Sequence, residues 1–408
     1  MSNDLSYFYE LIPLHIRLTD EERQTILTQF PSPKLPEGNT LFTLDNEEAG
    51  SKISQRLLVN DFEVRLTRTQ KQFLKLSFSN NSGMIDGKMW DNNGALEKNI
   101  PLLESNAIFD VEGVIDSYNG NKSIVVNQLI PVKDQLEPFS LLPYTDESFA
   151  DLTIELISYL NELDEPFRKL AKETVHYFWD DFRLVPAAKG YHHNYLGGLL
   201  KHTVGLMRFA RYILSFEKGH IEALLTLVQK VEKMYKAELY TQYRQGQDSK
   251  KRMIWNETID HLYKMIQGAM TYSDQNPNYN LLIVAILYHD IGKILEYDHA
   301  GKSFKAFNFL YPTANKDALL TRNQAGIGMD PLGVLVGHIP YGVILLTKLI
   351  EQFDISLSIE DIHQLNHCIL CHHGLPEWGS AVRHPQTLEG YLIHIVDYLD
   401  SRYENADK

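Results

Sequence analysis

Residues 280–293 read NLLIVAILYHDIGK, and the meaning of the His289-Asp290 pair closing this apolar run decides how the chain is built. The run from Leu281 to Tyr288 has helical character and is far shorter than the roughly 20 apolar residues a membrane span needs. Where a helix ends, adjacent side chains are released from helical separation and can converge on one point. A carboxylate there can bridge two divalent ions, and a neutral imidazole can bind one. Buried without a cation, the same pair is costly unless hydrogen-bonded. An ion-paired helix end gives the same dipeptide, so its company decides.

Moving outward, helical periodicity continues on both sides: Leu152 to Trp179, Leu196 to Phe216, a charged stretch over 218–275, Pro340 to Phe353, Ile359 to Cys371, and Pro385 to Tyr403. Pro340 stands where a first helical residue is expected. Residues 151–408 therefore form an all-α domain, with 218–275 as a charged helical insertion. Its Lys230, Lys233, Lys236, Arg244, Lys250, Lys251 and Arg252 suit a solvated hairpin, or a lid over the site. Upstream, residues 138–150 contain two prolines and read as a linker.

Residues 51–137 alternate with period two. The runs Leu57–Val59 with Phe62–Thr67, Phe73–Phe78, Met84–Trp90, Ile108–Ile115 and Ser123–Val126 give five short strands, broken between the third and fourth. That pattern suits an OB-like β-barrel, making the whole a multidomain α+β protein. Residues 1–50 read as an N-terminal extension, with Thr19 capping a helix toward Phe30.

The wider sequence supplies the company for His289-Asp290. His202 lies on an upstream helix, His338 follows Gly337, His372-His373 precede Gly374, and Asp397 follows His394-Ile395-Val396. This order resembles the two-metal members of the HD-domain phosphohydrolase superfamily. Around the ligands, His192-His193 with Gly197-Gly198-Leu199, Leu287 to Lys293, Gly337-His338-Ile339, and His372-His373-Gly374 with Glu377-Trp378-Gly379-Ser380 resemble the YhaM-type 3′→5′ exoribonucleases. Those proteins also place an OB-fold before the HD domain. The first 50 residues and the stretch 218–275 depart from that family's pattern.

The resemblance implies that His202, His289, Asp290 and Asp397 hold a first metal, and His338 with His372 or His373 a second. Mn²⁺ is the expected ion, with Fe²⁺, Mg²⁺ and Co²⁺ as alternatives. Asp290 bridges. Lys293 is a candidate for phosphate contact, against a plain surface lysine at a helix end. His192 and His193 are candidates to protonate the leaving oxygen or hold the scissile phosphate, against satisfied polar residues at a helix start. Trp378 is a candidate for base stacking, with Ser380 and Arg383 on phosphate. In the barrel, Arg65, Arg68, Lys71, Lys75 and Lys88 with Phe73, Phe78 and Trp90 offer cations and stacking faces for single strands, some of the aromatics being core. Cys368 and Cys371 form half a zinc pattern with no second pair, so they read as buried thiols. His363 and His367 read as ordinary helix residues, and Asp400 as a group that orients a ligand.

The bulk numbers fit. A chain of 408 residues can bury several cores, and two cysteines with no apparent secretory signal point to the cytoplasm. A net charge of −14 argues against holding nucleic acid by bulk electrostatics, and for local, metal-assisted contact. The expected activity is a metal-dependent 3′→5′ exoribonuclease acting on single-stranded RNA or DNA, with no membrane partner and homo-oligomerisation left open. Hydrolysis of small or cyclic nucleotides is the alternative, although such an enzyme needs no barrel and no Gly-Tyr-Pro signature follows His289-Asp290. An OB-fold regulator with a dead HD site and a relaxase of mobile elements are weaker alternatives.

Overall fold

The computed structural model describes residues 6–14, 16, 18–36, 47–67, 69–118, 120–132, 136–189, 193–244, 256–320, 323–378 and 381–403. His192, Ser380, Arg68, Lys250, Lys251 and Arg252 therefore lie outside the described residues.

The described residues start with a hairpin, β1 (Ser6–Tyr7) on β2 (Ile12–Pro13), followed by α1 (Asp20–Gln29). Thr19 caps α1 in a reciprocal box with Glu22, as its position suggests. This N-terminal extension packs onto the rest of the chain: Phe8, Ile12, Ile26 and Phe30 are buried in the same core as the C-terminal helices.

The barrel closes in the order β3-β4-β5-β7-β6. Its strands are β3 (Lys52–Leu66), β4 (Gln72–Asn80), β5 (Gly83–Trp90), β6 (Ile108–Tyr118) and β7 (Asn121–Pro131). The break between the third and fourth strands is filled by α2 (Ala95–Ser105). β3 joins two sequence runs through an irregularity between Val59 and Asp61. It pairs with β6 at its start and with β4 at its end, which closes the sheet. Leu57, Leu74, Leu76, Phe78, Met89 and Phe109 point inward. Phe78 is thus core, whereas Trp90 stays exposed.

The residues expected to form a linker are core as well. Phe139, Leu141, Leu142 and Phe149 are buried with the helices, and Tyr144 bridges to Leu196. The helical part then runs α3 (Pro138–Leu141), α4 (Phe149–Asn161), α5 (Phe167–Phe182), α6 (Gly198–Ser215), α7 (His220–Arg244), α8 (Asn256–Met270) and α9 (Tyr279–His289). After α10 (Lys293–Glu296) come β8 (Tyr297–Asp298), α11 (Lys305–Leu310), α12 (Asp317–Leu320) and β9 (Gly328–Met329). The domain ends with α13 (His338–Gln352), α14 (Ile359–Cys371) and α15 (Leu388–Tyr403).

Three helical expectations shift. The run from Leu152 to Trp179 is two helices, α4 and α5, broken before Phe167. α13 starts at His338, so Pro340 is its third residue, still within the first turn where no N–H is needed. The insertion is a helical pair whose inner face, including Leu224, Leu227, Val231, Leu262 and Ile266, is buried in the main core.

α9 is apolar all round, and Leu281 to His289 are all buried. A helix without a polar face belongs at the centre of a bundle. It is flanked by α5, α6, α13, α14 and α15, so its C-terminal end points the His289-Asp290 pair into the middle of the domain.

Candidate metal centre

The sequence brings its ligands together through tight backbone approach. Gly292 follows Asp290 by two residues, and a Cβ there would meet the His338 carbonyl oxygen at 2.0 Å. Only glycine lets the turn after α9 press onto the start of α13, which delivers His338. α6 contributes His202, the end of α14 contributes His372 and His373, and α15 contributes Asp397.

Asp290 sits at the middle, its two oxygens facing different groups. Oδ2 is 3.5 Å from His202 Nε2 and 3.4 Å from His289 Nε2. Oδ1 is 3.6 Å from His338 Nε2 and 3.7 Å from His372 Nε2. His202 Nε2 is also 3.2 Å from His289 Nε2 and 3.2 Å from Asp397 Oδ1. On the other side His338 Nε2 is 3.1 Å from His373 Nε2. Two clusters flank Asp290, His202-His289-Asp397 and Asp290-His338-His372-His373, and a third, His193-His202-Asp400, backs the first.

The outer nitrogens explain the inner ones. His289 Nδ1 donates to the Ile286 carbonyl at 2.6 Å, and His372 Nδ1 to the Ile369 carbonyl at 2.7 Å. His202 Nδ1 faces Asp400 Oδ2 at 2.7 Å, and His338 Nδ1 faces Glu296 Oε2 at 2.6 Å. These oxygens only accept, so Nδ1 carries a proton in each ring and Nε2 is the atom that turns inward, free to offer a lone pair to a metal. Asp290 Oδ1 and His372 Nε2 are buried without any hydrogen-bond partner. Leaving such groups unsatisfied costs about 1–3 kcal/mol each. Asp290, Asp397, Asp400 and Glu296 place four carboxylates around the centre, more than the Lys293 ammonium and a proton on His202 can offset.

A cation resolves all of this. Metal–nitrogen bonds of about 2.0–2.1 Å put two ligands of one ion about 3.0–3.4 Å apart, near the separations above. The residues present therefore fit divalent metal on either side of Asp290.

The electrostatics agree. Burial opposes a charge on His202, but hydrogen bonds and charge from Asp397 and Asp400 outweigh it and lift its pKa to about 10. Burial and the neighbouring imidazoles push His372 well below its ordinary value. Burial pushes His373 down to about 4. Burial works against ionising Asp290, yet Lys293 and the surrounding imidazoles hold its carboxyl well below the usual range.

The other expected residues fall into four groups. Lys293 is at the centre, its ammonium paired with Asp290 Oδ2 and donating to the Ala187 carbonyl at 2.6 Å. His193 stands behind the centre, with Nε2 on Asp400 at 3.0 Å and Nδ1 on the Tyr195 hydroxyl at 2.8 Å. Trp378 is 47% exposed and packs against His261 of the insertion, with ring centroids 4.4 Å apart and the planes tilted by 54°, and Arg383 is exposed nearby in sequence. Arg65, Lys75 and Trp90 belong to the barrel. Register sets Arg65 beside Phe73 and Phe73 beside Trp90, with Lys75 beside Lys88 in the next row of the same outer face. Arg65 pairs with Glu63 at 2.6 Å, and Lys75 lies 3.8 Å from Asp86.

Cys368 and Cys371 are buried thiols, Cys371 pushed up to about 12 by burial. His363 bonds its own helix, and His367 accepts from the Gln386 N–H. Glu296, His261, His394 and Tyr7 contact or back the centre without any signal in spacing that marks them.

The HD domain family model matches residues 258–402. A 3'-5' exoribonuclease YhaM of Listeria monocytogenes is 23% identical over 367 residues, covering 88% of each chain. The Bacillus subtilis protein of that name gives the same identity and coverage, and that of Bacillus pumilus is 21% identical over 364 residues. A solved structure described as "Structure and Conformational Change of a Replication Protein A Heterotrimer Bound to ssDNA" aligns with 28% of this chain and 77% of its own. Its TM-score is 0.16 at 23% identity. A helical domain that matches the HD family over residues 258–402, with a paired His/Asp centre at its heart, supports a hydrolase of the HD superfamily.

Proposed function

We propose that this protein is a metal-dependent 3′→5′ exoribonuclease, able to act on single-stranded DNA as well, that hydrolyses phosphodiesters at the Asp290 centre. The observation that carries the reading is Asp290 itself, one oxygen toward His202 and His289 and the other toward His338 and His372. His202, His289, Asp397 and Asp290 would hold one divalent ion, and Asp290, His338, His372 and His373 the other, with Mn²⁺ as the expected species. When bound, such a pair supplies an activated water and neutralises charge on the phosphodiester.

The chain's own groups do the rest. Asp290 holds the two halves in one frame, and Asp400 and Glu296 keep His202 and His338 turned inward. His193 acts through Asp400 rather than on substrate, since both of its ring nitrogens are engaged. Lys293 has three N–H donors, of which Asp290 and Ala187 take two, and the third is assigned to a phosphate oxygen. The substrate reaches the centre from the side of His338 and His373, the half-buried ligands. The half-exposed Trp378 is assigned to stack on the terminal base and Arg383 to a phosphate, with Ser380, outside the described residues, kept as a candidate for the same role. The outer face of the barrel, with Trp90 and Phe73 beside Arg65, Lys75 and Lys88, holds the upstream strand by stacking and charge.

Relatives named exoribonucleases over most of their length support RNA as the substrate. No helix among the described residues is long and apolar enough to cross a membrane, and the free cysteines suit a cytoplasmic protein. The test is metal-stripped protein with 5′-labelled single-stranded RNA, with and without Mn²⁺, beside Asp290→Ala. A ladder shortening from the 3′ end, dependent on metal and lost in the variant, supports the reading. RNA left intact under Mn²⁺, Mg²⁺ and anaerobic Fe²⁺ overturns it.

A further inference from the structure

The N-terminal hairpin reaches the back of the metal centre. Tyr7 donates its hydroxyl to Asp400 Oδ1 at 2.7 Å, and Asp400 accepts from His202 and His193 through Oδ2. Asp400 is only 1% exposed and is held by Tyr7, His193 and His202. The Tyr7 ring meets Phe209 edge-on at 5.6 Å and lies under the Arg208 guanidinium at 4.8 Å. Phe8 packs on Phe209 at 4.6 Å.

A second observation comes from α6. Gly205 is one turn beyond His202, and a Cβ there would meet Asp400 Oδ1 at 2.3 Å and the Tyr7 hydroxyl at 3.1 Å. The helix that carries His202 is notched where Tyr7 and Asp400 meet. A third lies in the hairpin turn. Phe8, Tyr9 and Glu10 all have positive φ, between 52° and 62°, a conformation that side chains rarely adopt. Strain of that kind persists where surrounding contacts hold it, and here the contacts are Phe8 and Tyr9 in the helical core with Tyr7 on Asp400.

We infer that Tyr7 is a positioning residue of the metal centre: by holding Asp400, it fixes the ring of His202 for metal binding, so the hairpin is a working part of the catalytic domain. Asp400 must face His202 Nδ1 squarely for Nε2 to aim at Asp397 and His289. With two donors on Oδ2 and none on Oδ1, the carboxylate could swing; the Tyr7 hydroxyl on Oδ1 sets its plane. The inference rests on the metal reading of the centre.

The test is Mn²⁺ titration into metal-stripped full-length protein, comparing wild type, Tyr7→Phe, Asp400→Asn and the double variant, with thermal unfolding of each. Tyr7→Phe removes one oxygen and keeps the ring packed on Phe209. It is expected to weaken one Mn²⁺ binding event about tenfold, at the low end for groups that support a ligand, and to leave the other within about twofold. In the Asp400→Asn background the same substitution is expected to add nothing. Raising Mn²⁺ should restore the Tyr7→Phe rate. Unchanged Mn²⁺ binding in Tyr7→Phe, or an equal loss persisting in the Asp400→Asn background, overturns the inference while leaving the metal centre standing. Wild-type protein that takes up no Mn²⁺ sinks the metal reading and this inference with it.

Discussion

The Nε2 atoms of His202 and His289 lie 3.2 Å apart although each ring already presents its Nδ1–H to an oxygen elsewhere. Two neutral imidazoles cannot hold each other this way, because both offer lone pairs. A positive species belongs between them and Asp397. Without metal, it is a proton on His202, which is why the Asp397 and Asp400 carboxylates lift that pKa to about 10 against the opposing effect of burial. With metal bound, the ion takes the proton's place.

Metal uptake should therefore release a proton. Below about pH 10 the metal-free His202 is charged, so Mn²⁺ affinity at this side should rise with pH, by up to tenfold per unit, and level off above. The stability of the metal-free chain should run the other way. A raised folded pKa contributes stability that is complete below the ordinary value of about 6.5 and is lost as pH rises toward the folded one. Calorimetric titration in buffers of different ionisation enthalpy counts the protons. Affinity that is flat between pH 6 and 9 would rule the arrangement out.

His193 and His202 should separate by their kinetics. Replacing His202 with Ala removes a ligand and should abolish activity at any Mn²⁺ concentration. His193→Ala removes only a donor to Asp400, so its loss should be about tenfold in Mn²⁺ affinity. At saturating Mn²⁺ the His193→Ala rate should return to within about threefold of wild type. A kcat that stays a hundredfold down would instead mark His193 as acting on substrate.

These distinctions were only partly legible in the sequence. The centre could be read because its ligands fall in words such as His289-Asp290-Ile291-Gly292-Lys293, where a helix end and a glycine force convergence. Five barrel strands showed through period-two alternation. The groups behind the ligands did not show: Glu296 and Tyr7 act through tertiary contact, and no periodicity marks a carboxylate whose partner is 42 residues away. The supposed linker misled for a similar reason. Two prolines in 138–150 signal a break in regular structure, yet Phe139, Leu141 and Phe149 are apolar enough to be buried there. The role of the N-terminal hairpin was not legible, because a short hairpin gains its stability from the helices it packs on, not from its own pattern.

The barrel face makes a prediction about length. Trp90→Ala should raise KM for long single-stranded RNA by roughly 5- to 100-fold, the range of one lost stacking contact. Lys75→Ala with Lys88→Ala should weaken binding and flatten its salt dependence. Neither change should alter hydrolysis of a dinucleotide too short to reach the barrel. Equal losses on long and short substrates would place the effect at the HD centre instead.

Gly292→Ala should damage the centre without touching a ligand. Its Cβ would overlap the His338 carbonyl, so the start of α13 must move and take His338 with it. Unfolding should come several degrees lower, and the metal content of the variant should fall. A variant with wild-type melting and metal content would show that the turn tolerates a side chain.

The most direct measurement is the number of ions per chain. Metal-stripped protein dialysed to equilibrium against Mn²⁺ should hold two ions per chain by elemental analysis, and Asp290→Ala, which removes the oxygen atoms facing both clusters, should hold fewer than one. A wild-type count near zero, or a variant that still retains two ions, would contradict a centre built around Asp290.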